Sequence, residues 1–182
     1  MRGNMPDLNE KKCLIAYFSR AGNNYVSGKI VNLQAGNTKI AAEIIQEIIG
    51  GDLFQIDTVT PYPKDYSATT NVAKKELNEN ARPKLLKNVE NMDSYDNVFL
   101  GYPNWLGTAP MAVFTFLEEY DFSGKTIIPF CTHEGSGMGH SESDIEKTCP
   151  DAKILNGLSI YGSQVSSSKK DIETWLSNLG ML

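Results

Sequence analysis

Apolar positions along this chain alternate between two rhythms. Cys13-Leu14-Ile15-Ala16-Tyr17-Phe18 is an almost unbroken apolar run that ends at Ser19, the pattern of a strand buried on both faces of a parallel sheet. Ile40, Ala41, Ile44, Ile45 and Ile48 then recur at helical spacing, with Asn37 and Thr38 as capping candidates and Gly50-Gly51 as the stop. Leu53-Phe54-Gln55-Ile56 reads as a second strand, Val98 to Gly101 as a third ending at Tyr102-Pro103, and Thr126 to Cys131 as a fourth. Thr60-Pro61-Tyr62-Pro63 marks a turn, and Asp65 to Asn80 is a polar helical connection that stops before Arg82-Pro83. Pro110 opens a further helix as its first residue, its apolar face supplied by Val113, Phe114, Phe116 and Leu117. A short helix over Ser141 to Thr148, a broken fifth strand over Ala152 to Leu155 and Gly157 to Ile160, and a closing helix from Ser168 to Leu179 complete the pattern.

Strands alternating with helices imply an α/β fold, a doubly wound parallel sheet with helices on both faces, because right-handed crossovers leave few other arrangements. In such sheets ligands sit beyond the carboxyl ends of the strands, where the strand order reverses. That rule directs attention to three loops: Ser19 to Lys39, Pro103 to Thr108, and Thr132 to Gly139.

Composition narrows the classes. At 182 residues and 20.1 kDa the chain suits one domain over residues 12–182, preceded by a short, poorly ordered leader over 1–11. A net charge of -5 leaves no basic stripe for nucleic acid. Three cysteines without CxxC spacing suit a reducing cytoplasm and buried thiols. No apolar stretch spans a bilayer.

The first loop, Ser19-Arg20-Ala21-Gly22-Asn23, resumes at Gly36-Asn37-Thr38-Lys39 where a helix begins. A helix N-terminus offers unpaired N–H groups and a positive dipole end, so this segment reads either as a phosphate cradle split by an insertion or as an ordinary capped turn. In the second loop Trp105 is either a rigid aromatic plate for a flat ligand or a side chain folded back on the core. The third loop carries Gly135, Gly137 and Gly139 beside His133 and Glu134, and lets backbone groups approach a polar heterocycle edge. Together the three describe a phosphorylated planar cofactor.

Tyr17-Phe18-Ser19-Arg20-Ala21-Gly22-Asn23 with Gly36-Asn37-Thr38, Gly101 to Gly107, and Pro129 to Gly137 resemble the flavodoxin-like flavoproteins from about Lys12 to Leu179. The resemblance implies a five-stranded sheet of order 2-1-3-4-5 and non-covalent FMN. It places the phosphate loop at Ser19, Arg20, Asn37, Thr38 and Lys39. The flavin-flanking loops fall at Pro103, Asn104, Trp105, Leu106 and Gly107, and at Thr132, His133, Glu134, Gly135, Ser136 and Gly137. In the common pattern Ser-Arg-x-Gly-Asn-Thr is contiguous, whereas here Asn24 to Gly36 intervene, as in a bacterial subgroup with an insertion in this loop. The alternation of Tyr25, Val26, Ile30, Val31 and Leu33 around Ser27-Gly28 reads as a hairpin, either an inert surface feature or one through which Tyr25 reaches the cofactor.

In the flavin reading the protein supplies position and electrostatics. Glu134 near the flavin N1 region disfavours an anionic reduced ring, and a protonated His133 does the reverse. A one-electron carrier docking a redox partner protein, and a reductase using NAD(P)H and a small acceptor such as a quinone, both remain open, as does a homodimer. A flavin-containing regulatory or partner-binding protein without turnover is the alternative from another class. A phosphoacceptor receiver lacks its aspartates, a dinucleotide-binding domain its GxGxxG, a serine hydrolase its GxSxG and a zinc protease its HExxH.

Overall fold

The computed structural model describes residues 12–182, so the expected leader over 1–11 lies outside the described residues. In chain order the elements are β1 (Cys13–Tyr17), β2 (Gly22–Val26), β3 (Lys29–Leu33), α1 (Asn37–Ile49), β4 (Asp52–Gln55), α2 (Tyr66–Glu79) and β5 (Asn97–Pro103). They continue with α3 (Met111–Glu119), β6 (Thr126–His133), α4 (Ser141–Thr148), β7 (Lys153–Ile154), β8 (Leu158–Tyr161) and α5 (Lys169–Asn178). The main sheet runs β4-β1-β5-β6, with both β7 and β8 pairing β6, and every pairing in it is parallel. This is the expected 2-1-3-4-5 order, with the fifth strand broken into two pieces.

The apolar periodicities are spent on the two faces of this sheet. Ala41, Ala42 and Ile45 of α1 and Ile172, Trp175 and Leu176 of α5 bury against Ile15, Phe99, Ile128 and Phe130. Val113, Phe116 and Leu117 of α3 bury on the other face against Leu14, Val98, Leu100 and Ile127. Each Val, Leu, Ile or Phe among them, once fully buried, contributes about 1.5–3 kcal/mol. Helix α2 starts at an Asp65 cap whose side chain accepts from Ala68 N and ends on Asn80 in the left-handed region.

Several boundaries differ from the periodicity. Pro110 is the N-cap of α3 rather than its first residue. Asn37 and Thr38 are the first residues of α1 rather than its caps, Gly36 being the N-cap. Strand β6 continues two residues past Cys131 because Thr132 pairs with Pro103 of β5 and His133 with Tyr161 of β8. Thr132 and His133 are therefore held by the sheet, and the third loop starts at Glu134.

The insertion is a hairpin. β2 and β3 pair antiparallel from Gly22–Leu33 to Val26–Lys29. Its turn residues Ser27 and Gly28 both have positive φ, 50° and 82°, as a two-residue type I′ turn requires.

Candidate functional site

Strand register sets the site. Tyr17 stands beside Gly101, and Pro103 beside Thr132, so the loops after β1, β5 and β6 leave the same edge of the sheet side by side. Between them lies a cavity of about 400 Å³, lined among others by Ser19, Asn37, Thr38, Trp105, Thr132 and His133, within the size range of small-ligand pockets.

At one end is the start of α1. Ser19 Oγ accepts the N–H of Lys39 at 3.0 Å, acting as a cap supplied from outside the helix. Ile40 N–H pairs with Gly36 O, which leaves the N–H groups of Asn37 and Thr38 as the open donors of the first turn. The Thr38 hydroxyl meets that of Thr132 at 2.7 Å, fixing the helix start against the end of β6. A β-carbon on Gly36 would lie 2.2 Å from Ser19 Oγ and 2.8 Å from Arg20 N. The two halves of the interrupted motif are thus in contact, and the hairpin closes so that Ser19 reaches the start of α1.

Arg20 holds that closure. Its guanidinium donates to Pro63 O from Nε and Nη2, to Lys64 O from Nη2 at 2.6 Å, and to Asn23 O from Nη1. It lines the cavity, but most of its N–H groups point at carbonyls, clamping the hairpin base to the segment before α2. Partial burial lowers its pKa, opposed by the nearby Asp65.

The second and third loops form the other end. Trp105 pairs both ways with Thr108, at 2.8 and 3.3 Å, across a turn in which Leu106 and Gly107 have φ of 58° and 94°. The Trp105 ring contacts Phe18 and Tyr62 edge-on, each at 5.1 Å, so it is braced by the core and also faces the cavity. Asn104 fastens the two loops: its N–H donates to Thr132 O, its Nδ2 to Gly137 O, and its Oδ1 accepts from Gly107 N. Gly139 approaches Gly107 so closely that a β-carbon would stand 2.1 Å from Gly107 O.

His133 Nδ1 accepts the N–H of Gly135 at 2.9 Å, so the neutral ring carries its proton on Nε2. Burial lowers its pKa, partly opposed by Glu134. A protonated His133 would lose that hydrogen bond, so the geometry and the lowered pKa both favour the neutral imidazole. Glu134 accepts from two backbone groups, Ser27 N at 3.3 Å and Ser163 N at 3.0 Å. The tip of the hairpin is therefore latched to the loop after β8 across the cavity.

Of the residues singled out from sequence, Ser19, Arg20, Asn37, Thr38, Pro103, Asn104, Trp105, Leu106, Thr132, His133, Glu134 and Ser136 line the cavity. Lys39, Gly107, Gly135 and Gly137 do not; their backbone groups hold the lining residues in place. Sequence reasoning left out Asn24, then Tyr66, Thr69, Thr70 and Ala73, one face of α2, and Gly162. The four on α2 recur at i, i+3, i+4 and i+7, a stripe visible in the sequence.

The flavodoxin family profile matches residues 12–179. The chain belongs to the flavodoxin family. Among solved structures it is similar to a protein of Bacteroides eggerthii assigned as a flavoprotein, with 33% identity over 93% of this chain and 98% of that one and a TM-score of 0.76. A second Bacteroides protein with that assignment, from B. uniformis, is 27% identical over 89% and 97% of the two chains, with a TM-score of 0.68. A flavoprotein of Lactobacillus acidophilus in complex with FMN shares the fold at 22% identity, 86% and 97% coverage and a TM-score of 0.63. No curated protein matches the chain. Within this flavodoxin fold, open N–H donors at the start of α1 and a braced indole at the far end suit a ligand with a phosphate and a flat ring system.

Proposed function

We propose that this flavodoxin binds FMN non-covalently and acts in electron transfer or oxidoreduction. The observation that carries the reading is the single cavity in which the first turn of α1, the Trp105 turn and the end of β6 converge. Ser19, Asn37 and Thr38 bind the phosphate through a hydroxyl and helix N-terminal amides, and Arg20 adds positive potential from behind the loop. Asn104, Trp105 and Leu106 hold one side of the flavin ring, and His133 to Ser136 the other. Lys39, Gly107, Gly135 and Gly137 position these groups. When bound, FMN supplies the redox chemistry; the protein orients it and keeps a neutral His133 beside it.

Addition of FMN to the purified apoprotein, followed by anaerobic dithionite titration, tests this. A stoichiometric yellow complex that reduces reversibly is expected, and a chain that takes up no FMN defeats the proposal.

Tyr25 and Leu106, which line the cavity and are exposed, leave it within reach of small molecules and favour a second reading, in which the flavin takes electrons from NADH or NADPH. Stopped-flow mixing with each nucleotide separates the two: rapid bleaching supports the reductase, and inertness with a stable semiquinone supports the carrier.

A further inference from the structure

Behind the cavity wall stands a carboxylate to which the phosphate and ring assignments give no part. The α2 stripe that lines the cavity ends at Ala73, and one turn further along the same face is Glu76. Glu76 Oε1 accepts the Tyr62 hydroxyl at 2.7 Å. Neither residue lines the cavity, yet the Tyr62 ring lies edge-on against the Trp105 indole, which does.

The contact belongs to a cluster of three rings that meet mutually edge-on. Phe18 and Tyr62 stand 5.5 Å apart at 87°, Phe18 and Trp105 5.1 Å apart at 80°, and Tyr62 and Trp105 5.1 Å apart at 82°. Edge-to-face packing is directional, so each ring fixes the planes of the other two. Phe18 is buried at the end of β1 and is set by the core. Trp105 has its backbone held by the pair with Thr108, and the plane of its indole is left to the two neighbouring rings.

Tyr62 is therefore the ring whose setting decides the indole, and its backbone is already fixed. It lies between Pro61 and Pro63, the second of which restricts it to extended conformations, and Pro63 O accepts from Arg20 and from Thr69 Oγ1. What remains free is rotation of the side chain, and the hydroxyl bond to Glu76 removes it. Burial and the neighbouring carboxylate both push the Tyr62 phenol up, so it keeps its proton and is the donor. Burial raises Glu76 too, and the Tyr62 hydroxyl works against that rise.

We infer that Glu76 is a positioning residue for the flavin site: by holding the Tyr62 hydroxyl it sets the plane of the Trp105 indole against which the FMN ring lies. The inference rests on the FMN reading and names a residue outside the cavity that aligns it. Glu76 touches no ligand and acts through Tyr62 alone. A glutamine side chain carries an acceptor oxygen of the same reach, so the bond, not the charge, is what the site needs.

The test combines fluorine NMR of the 5-fluorotryptophan-labelled apoprotein with FMN titration. The chain has two tryptophans, Trp105 and Trp175, and Trp105→Phe assigns the signals. In Glu76→Ala and in Tyr62→Phe the Trp105 signal should shift or broaden while that of Trp175 stays, and FMN affinity should fall about five-fold. Tyr62→Phe keeps the ring and carries the test if the alanine variant fails to fold. Glu76→Gln should restore both the signal and the affinity, and Tyr62→Phe/Glu76→Ala should lose no more than either single variant. A wild type that takes up no FMN overturns the flavin reading and this inference together. With FMN bound to the wild type, four results overturn the role of Glu76 alone: an unmoved Trp105 signal, unchanged affinity in the alanine and phenylalanine variants, a glutamine variant as weak as the alanine one, or additive losses in the double variant.

Discussion

Gly36 and Ser19 stand on opposite sides of a sixteen-residue excursion, yet a β-carbon on Gly36 would be 2.2 Å from Ser19 Oγ. Gly36 has φ of -66°, which any residue adopts, so glycine is needed there for space alone. Gly36→Ala must push Ser19 and the Arg20 backbone off the helix start. Overpacking of this kind costs about 1–3 kcal/mol, and the same displacement removes the cap on Lys39 N–H. Denaturant unfolding should report that loss, and fluorescence titration should show FMN affinity falling at least ten-fold. A variant that keeps wild-type affinity would mean that the two halves of the loop act separately.

The Glu134 latch makes a separate prediction. Its carboxylate accepts from the hairpin tip at Ser27 N and from Ser163 N, and hydrogen bonds to a charged acceptor are worth about 1.5–3 kcal/mol, less at this partly exposed position. Glu134→Ala should free the tip, raising the FMN dissociation rate several-fold and making the hairpin the first site of proteolytic cleavage. Glu134→Gln should do nearly as much, since its NH2 group would face one of two backbone donors. Unchanged dissociation in both variants would show that the hairpin stays in place without the latch.

Much of this site was legible along the chain, and what was missed has physical causes. The Ser27-Gly28 turn and the alternation around it specify the hairpin locally. Its placement over the cavity depends on carbonyls of Pro63 and Lys64 reaching Arg20, contacts more than forty residues apart that leave no periodic trace. Arg20 itself reads as a phosphate ligand because the uninterrupted motif places it so; the insertion brings Asn23 O to its guanidinium and turns it into a clamp. Thr132 and His133 read as loop because only pairing with Pro103 and Tyr161 makes them strand. The α2 stripe was visible but reads as a polar helix face, since Thr69, Thr70 and Tyr66 carry no charge pattern that marks a ligand wall.

His133 predicts a pH dependence. Its pKa is lowered from the ordinary 6.5, so near and below 6.5 the unfolded chain binds the proton more readily than the folded one. The stabilisation from a neutral, buried His133 is therefore complete above that value and is lost as pH falls toward the lowered folded pKa. His133→Asn retains an acceptor for Gly135 N–H but does not titrate. Unfolding free energies measured from pH 7.5 downward should fall more steeply for the wild type than for this variant. Parallel profiles would show that the ring is protonated in the fold without penalty.

The buried thiols predict chemical inertness. Burial pushes Cys131 up to about 12 and Cys149 up to about 11, and the thiolate is the reactive form. At pH 8 iodoacetamide should label neither in the native protein and both in guanidinium, as read by peptide mass spectrometry. Fast native labelling at Cys131 would show that the end of β6 opens readily.

Leu106 carries the last prediction. It is a large residue with φ of 58°, a conformation costing about 1–2 kcal/mol for a side chain with a β-carbon. The turn is held there from both sides, by Gly107 N–H on Asn104 Oδ1 and by His140 N–H on Gly107 O, and the leucine is 43% exposed, so little packing repays the strain. Leu106→Asn places a residue that tolerates this conformation in the same turn and should raise stability by about 0.5–1 kcal/mol. If the leucine is kept for its place on the cavity wall, the same variant should bind FMN more weakly, so stability and affinity move in opposite directions. A variant that gains stability and loses no affinity would show that the strained leucine serves no ligand, and one that loses stability would show that its contacts outweigh the strain.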